Sequence, residues 1–178
     1  MATIDARRLV FLDETGAKTN MTRRYGRSRK GKRVVDYAPH GHWGTTTLVA
    51  AMTVEGPIAP MALDGAMDSA AFLAYVEQVL IPQLSPDAIL VMDNLSAHKS
   101  SAVTQCLVDA GVEIRYLPAY SPDLNPIEMM WSKVKTSLRA AKARGFDSLC
   151  EAIAHALATI SSSDARAYCR HCSVCVIA

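Results

Sequence analysis

Two apolar runs of this chain each end at an aspartate, and this feature most constrains how the chain can fold. Residues 9–12 are followed by Asp13, and residues 88–92 are followed by Asp93. Apolar runs of this length are typical of strands buried on both faces of a sheet that is flanked by helices. A carboxylate at the end of such a strand is costly to bury unless it is paired or binds a metal. The pattern therefore predicts an α/β fold with acidic side chains at one edge of its sheet.

A third carboxylate, Glu128, follows a turn-rich stretch at residues 120–127 and lies in the first turn of a predicted helix. Carboxylates are ligands that Mg²⁺ prefers, and two such ions can clamp an in-line displacement at phosphorus. Asp13 and Asp93 are predicted to be the core metal ligands, and Glu128 is predicted to bind the second ion. These three residues form the predicted catalytic and metal-binding set for phosphoryl transfer.

Each of these acidic residues also has a purely structural interpretation. Asp13 and Asp93 can be turn residues at strand ends. Glu128 is the third residue after Asn125, which is its place in a capping box at the start of a helix. Glu14 is expected to point to the opposite face of its strand from Asp13, so the two need not act together.

His98 follows Asp93 by five residues and is the fourth predicted catalytic residue. It is predicted to lie near the reacting phosphate as a proton relay or phosphate ligand. A histidine at the surface or at a helix entry is the alternative. Its neighbour Lys99 is a candidate phosphate contact, with a solvated lysine as the alternative.

Basic residues are concentrated in two sets, although the net charge of the chain is only +2. Clustered Lys and Arg bind a nucleic-acid backbone because condensed counterions are released. Each set alone could be a solvated face, but two sets that bracket the acidic residues predict a DNA-binding surface. The predicted DNA contacts are Arg23, Arg24, Arg27, Arg29, Lys30, Lys32 and Arg33 in the first set, Lys133, Lys135 and Arg139 in the second, and Lys99.

Hydrophobic periodicity predicts one mixed five-stranded sheet flanked by helices. The second and third strands are predicted to form a hairpin, with the third at an edge because it contains prolines. Ser69 and Asn125 are predicted helix caps, and residues 16–42 are predicted to be a long basic loop or loose hairpin. The predicted strands are residues 9–12, 45–53, 58–63, 88–92 and 112–117, and the predicted helices are residues 69–80, 100–110, 126–143 and 149–160.

Composition excludes several classes of protein. No apolar run approaches the roughly 18 residues that span a bilayer, and residues 1–8 lack a secretory signal, so we expect a cytoplasmic protein without a membrane partner. The five cysteines, an odd number, argue against a disulfide framework. Cys169, Cys172 and Cys175 surround His171 with zinc-like spacing. We interpret them as reduced thiols in a frayed tail, because a second spaced ligand pair is missing.

Three segments resemble bacterial insertion-sequence transposases of the Tc/mariner-like superfamily, which belong to the Asp-Asp-Glu (DDE) endonucleases. They are residues 11–15, residues 91–94 with His98, and residues 117–128, which read Leu-Pro-Ala-Tyr-Ser-Pro-Asp-Leu-Asn-Pro-Ile-Glu. The resemblance covers about residues 9–160. It implies a ribonuclease H-like fold, two Mg²⁺ or Mn²⁺ ions, and a catalytic triad at Asp13, Asp93 and Glu128. It also implies cleavage and strand transfer of double-stranded DNA during transposition, by a homo-oligomer on DNA.

The chain departs from this family at both ends. We expect residues 1–178 to be a single DDE catalytic domain with its core at about residues 8–160 and an atypical tail at residues 161–178. We expect the N-terminal helix-turn-helix region usual in the family to be absent, with either a separately encoded DNA-binding half or a truncated copy as the explanation. A catalytically silent fragment that binds DNA or an intact transposase is the main alternative, and a ribonuclease acting on RNA–DNA hybrids is another.

Overall fold

The computed structural model describes residues 4–40, 43–95 and 97–173. Five strands form a single mixed sheet with helices on both of its faces, as the sequence predicts. The strands are β1 Leu9–Lys18, β2 Thr45–Thr53, β3 Gly56–Asp64, β4 Ile89–Met92 and β5 Glu113–Tyr116, and the helices are α1 Ser69–Tyr75, α2 Ser101–Asp109, α3 Pro126–Ala141, α4 Phe146–Ala158 and α5 Ser162–His171. After α1 the chain continues through a π-helical turn, Val76–Leu80, and a 3₁₀ turn, Ile81–Gln83.

The strands lie in the order β3-β2-β1-β4-β5, so the predicted hairpin and the edge position of β3 are confirmed. β1 pairs with β4 in parallel, and the last matched pair is Phe11 with Val91. Asp13 and Asp93 each follow that pair by two residues. The parallel register therefore brings both carboxylates to the same edge of the sheet.

β1 is longer than predicted, because its antiparallel pairing with β2 continues to Lys18 after its pairing with β4 has ended. The predicted loop therefore begins at residue 19 rather than at Gly16. Among the residues described between 19 and 40, none belongs to a helix or strand, apart from isolated turns.

Side chains of β1 alternate between two apolar cores on opposite faces of the sheet. Phe11 packs with Trp131 and other residues of α3, α4 and α5. Leu12 packs on the other face, with Phe72 of α1 and Leu107 of α2. Burial of each such side chain contributes about 1.5–3 kcal/mol to folding. Asp13 lies on the face covered by α3, and Glu14 lies on the face covered by α1 and α2.

The cap of α1 and the presence of α5 differ from the predictions. Asp68, not Ser69, caps α1, because its Oδ1 accepts a hydrogen bond from the Ala71 N–H at 2.8 Å. α5 was not predicted, and because it contains Cys169 and His171, the frayed-tail interpretation is wrong for these two residues. Cys169 and Cys172 are buried, and Cys175 lies outside the described residues. No helix in the described part of the chain is long and apolar enough to cross a membrane.

Candidate active site

The three predicted metal ligands line one cleft of about 300 Å³. Asp13 and Asp93 enter it from the ends of β1 and β4, and Glu128 enters it from the first turn of α3. Residues 117–122 form another wall, which a hydrogen bond from the Leu117 N–H to the Met92 carbonyl (2.8 Å) fixes beside the end of β4. Carboxylates that lie 35 to 115 positions apart in the sequence thus converge on one space.

Asp13 is the buried carboxylate of this cleft, with 7% of its surface exposed. Burial raises the pKa of Asp13 to about 7; a hydrogen bond from the Glu14 backbone opposes this effect, while the negative charges of Glu128 and Asp93 add to it. A cation bound in the cleft would stabilise the ionised form of this buried carboxylate.

Glu128 has no capping role in this structure. Neither a side-chain cap hydrogen bond from Asn125 nor a capping box is present at the start of α3, and Glu128 is exposed. Asn125 is buried instead, and its Oδ1 has no hydrogen-bond partner among the described residues. Since Asn125 also lines the cleft, this oxygen is a further hydrogen-bond acceptor at the site. The sequence analysis took Asn125 only for a helix cap.

The cleft offers carboxylate oxygens from Asp13, Asp93 and Glu128. Oxygen donors of this kind suit a hard divalent cation. As the side chains stand, no group of three or more His, Cys, Asp or Glu within the described ranges is close enough to hold an ion. An ion held by all three carboxylates therefore requires the side chains to draw together. The cleft is observed, whereas metal binding by Asp13, Asp93 and Glu128 stays a prediction.

His98 is buried, so the alternative of a surface histidine is wrong. It lies in a short 3₁₀ turn, Ala97–Lys99. Its Nδ1 is 2.7 Å from Asp93 Oδ1, and its Nε2 is 3.4 Å from Glu14 Oε1. Both ring nitrogens face carboxylates, so neither is free to bind a phosphate, and that predicted role finds no support. Burial lowers the pKa of His98, but the hydrogen bond to Glu14 and the charges of Asp93 and Glu14 outweigh it, so the pKa is raised overall.

Lys133 lies on a different face of α3 from the other predicted DNA contacts. Its Nζ is 2.9 Å from Asp164 Oδ2 and 3.0 Å from the Thr159 carbonyl oxygen. Successive helical residues are about 100° apart, which places Lys133 about 140° from Glu128, whereas Lys135 and Arg139 lie within about 20° of it. Lys133 therefore joins α3 to the start of α5, and this contact argues against its predicted place on the DNA-binding surface.

The first basic set lies on an exposed segment next to α3. Arg23 and Arg24 line a cavity of about 430 Å³ together with Ser132, Thr136 and Arg139 of α3. Partial burial lowers the pKa of Arg139, and the charge of Arg24 lowers it further. The cavity thus brings together three cations, Arg23, Arg24 and Arg139.

Two contacts hold this segment against the end of α3. Arg144 Nη1 donates to the carbonyl oxygens of Thr19 (2.8 Å) and Met21 (3.0 Å), and Lys142 forms an ion pair with Asp36 at 2.7 Å. Lys99 is exposed, with its Nζ 5.3 Å from the centre of the Tyr116 ring.

The sequence model described as DDE superfamily endonuclease matches residues 8–150. The chain belongs to this DDE endonuclease family. No curated protein sequence matches the chain significantly.

Solved structures of the Mos1 mariner transposase are similar to this DDE chain in fold. A pre-cleavage Mos1 transpososome superposes with a TM-score of 0.71 at 19% identity, covering 93% of this chain and 52% of that chain. A Mos1 paired-end complex with Mg gives 0.70 at 20% identity, covering 93% and 51%. The Mos1 catalytic domain gives 0.68 at 18% identity, covering 93% and 76%. This DDE chain thus has the ribonuclease H-like fold and spans about half the length of the Mos1 chains in the DNA complexes.

Besides Asn125, the sequence analysis missed Glu14, which lies behind the cleft rather than in it. It points away from Asp13, as expected, but it reaches Asp93 indirectly through His98. No local pattern signals this contact, because Glu14 and His98 are 84 positions apart.

Proposed function

We propose that this chain is the catalytic domain of a DNA transposase that cleaves and joins strands at the ends of an insertion sequence. The observation that carries the proposal is the convergence of Asp13, Asp93 and Glu128 on one cleft in a chain of the DDE endonuclease family. In the proposed reaction, water attacks phosphorus at the element end, and the freed 3′-hydroxyl then attacks target DNA. We propose that residues 1–178 act as one catalytic domain in the cytoplasm.

Asp13 and Asp93 are proposed to hold two Mg²⁺ or Mn²⁺ ions, with Glu128 completing the second site from α3. Mos1 mariner paired-end complexes have been solved with Mg and with Mn. Ions bound here would activate the attacking oxygen and stabilise the leaving one. The protein's own contribution is position, since the β1–β4 register fixes the two aspartates side by side while α3 brings the glutamate.

Double-stranded DNA is the proposed substrate, and the exposed cations beside the cleft support it. Arg139 lies about 16 Å along α3 from Glu128, on the same side of the helix. With Lys135, Arg23 and Arg24, it gives a row of charge that can bind successive phosphates without reading base sequence. The further cations proposed to contact DNA are Arg27, Arg29, Lys30, Lys32, Arg33 and Lys99.

Assembly on DNA is also a proposal. Mos1 forms a paired-end complex with transposon ends, and we propose that this chain likewise acts as a homo-oligomer on DNA. A separately encoded N-terminal half that binds the element ends is a proposed partner.

The full chain is expected to convert supercoiled plasmid into open circles in Mg²⁺ or Mn²⁺, and to lose this activity completely in EDTA. Glu128→Gln should nick at least about 100-fold more slowly, because a neutral amide is a poor substitute for a carboxylate ligand. Agarose gel electrophoresis measures the conversion. Glu151→Gln, an exposed change on α4, is the matched control and should keep full activity. Nicking that persists in EDTA would contradict the proposal, and DNA binding without any nicking would favour the silent-fragment alternative.

Arg139→Ala and Lys133→Ala are expected to have different effects. Arg139→Ala should weaken duplex binding and reduce the slope of log K against log salt by about one, because one phosphate contact is lost. Lys133→Ala should leave that slope unchanged and lower the free energy of unfolding by about 1 kcal/mol, because it breaks the contact with Asp164. Fluorescence anisotropy at several salt concentrations and urea unfolding measure the two effects. An equal loss of slope in both variants would return Lys133 to the DNA-binding surface.

A further inference from the structure

A row of three polar side chains, Glu14, His98 and Asp93, leads from the α1–α2 face of the sheet to the catalytic cleft. Glu14 Oε1 lies 3.4 Å from His98 Nε2, and His98 Nδ1 lies 2.7 Å from Asp93 Oδ1. Of the three, only Asp93 lines the cleft. The other two reach that space solely through it.

The Asp93 carboxylate is held by one of its two oxygens. Oδ1 accepts a hydrogen bond from the Leu95 N–H at 3.0 Å as well as the contact with His98. Within the described ranges, no hydrogen bond to Oδ2 is found. The arrangement fixes the orientation of the carboxylate and leaves its second oxygen available to a ligand.

The imidazole of His98 is itself fixed by its surroundings. Its ring is 4.8 Å from the ring of Phe72, centre to centre, and the Tyr116 hydroxyl donates to the His98 carbonyl oxygen at 3.3 Å. A buried imidazole is costly unless its polar atoms have partners. Glu14, whose side chain is 26% exposed, supplies the partner on the side away from Asp93.

We propose that Glu14 and His98 are positioning residues that set the affinity of Asp93 for a divalent ion. Glu14 fixes the ring of His98, and the ring fixes the Asp93 carboxylate in the orientation that binds the ion. The inference rests on the proposed function, because it requires Asp93 to be a metal ligand. Partners of this kind orient metal ligands generally, and their loss weakens metal binding by about 10- to 100-fold.

A purely structural role for the two residues makes a different prediction. It would change the stability of the fold and leave metal affinity untouched in the molecules that remain folded. The two roles are separable because Glu14 is partly exposed and can be changed without opening the apolar core.

Binding of Mn²⁺ to the full chain, followed through the electron paramagnetic resonance signal of the free ion, tests the proposal. Glu14→Gln is expected to raise the Kd for Mn²⁺ by about tenfold. His98→Asn keeps a donor near the position of Nδ1 but cannot reach Glu14, so we expect a similar rise. The double variant should bind no more weakly than either single variant, because both changes break the same row. Glu151→Gln is the control and should bind as the unchanged chain does.

Nicking assays give a second readout. At saturating Mn²⁺, Glu14→Gln should recover most of the maximal rate, while the Mn²⁺ concentration for half-maximal rate rises about tenfold. Unchanged Mn²⁺ affinity in both folded single variants would overturn the proposal, and so would effects that multiply in the double variant. If the unchanged chain shows no Mn²⁺ binding that depends on Asp93, the proposed function fails first, and the positioning role fails with it.

Discussion

Asp93→Asn is expected to abolish metal-dependent nicking while leaving DNA binding close to that of the unchanged chain. An ion in such a site supplies several kcal/mol of transition-state stabilisation, so the rate should fall by about 10³-fold or more. The amide oxygen can still accept the hydrogen bonds from Leu95 and His98, so the local fold should persist. Plasmid nicking and a gel-shift assay in EDTA measure the two properties separately.

Asp123→Asn is the matched control for this change. Asp123 precedes α3 in a 3₁₀ turn, is exposed, and lines a separate cavity with Cys172. The same substitution there should leave both nicking and DNA binding unaltered. Full cleavage by the Asp93→Asn variant would remove Asp93 from the mechanism and the catalytic proposal with it.

Asp13→Asn is expected to change how the metal-free protein responds to pH. In the folded chain the pKa of Asp13 is about 7, against 3.8 as the ordinary value, so the folded state holds a proton that the unfolded state has released. Stability from this group is complete below about pH 4 and is lost as the pH rises toward 7. A difference of this size corresponds to about 4 kcal/mol at most. The asparagine variant should lack this loss and be the more stable protein at pH 8.

Urea unfolding of both proteins at pH 5 and pH 8 in EDTA measures the effect. His98 also has a raised pKa and adds a loss of stability at higher pH in both proteins. The charge of His98 lowers the pKa of Asp13, so the difference between the two proteins reports Asp13 together with this interaction. Added Mn²⁺ should stabilise the unchanged chain more than Asp13→Asn, because an ion binds the charged carboxylate. Equal stability of the two proteins at both pH values would show that the pKa of Asp13 is not raised in the folded chain.

Features that depend on local pattern were predictable from the sequence. The bounds of β2, Thr45–Thr53, follow from its β-branched residues, and the acidic edge follows from apolar runs that stop at Asp13 and Asp93. Glu128 was found in the same way, from its place after a turn and a proline at the start of a helix. In each case the signal lies within about ten residues of the feature.

Features that depend on distant partners were not predictable. β1 extends beyond its apolar run because β2 pairs with it, and Lys133 is held at the start of α5 because Asp164 lies beside it. The contact of Glu14 with His98 is of the same kind. α5 is an exception, since the capping box from Ser161 to Asp164 is a local signal that the analysis overlooked.

The short parallel match between β1 and β4 determines where the gene can tolerate changes of length. Only three residue pairs link these strands, ending at Phe11 with Val91. Codons added in the turn before β4 would be absorbed there, because the pairing beyond the turn could form unchanged. One codon added between Val91 and Asp93 would rotate the aspartate to the other side of the sheet, since neighbouring side chains alternate. Insertions and deletions should therefore be confined to the connecting turns, and the codons for Val91 and Asp93 should keep a fixed distance between them.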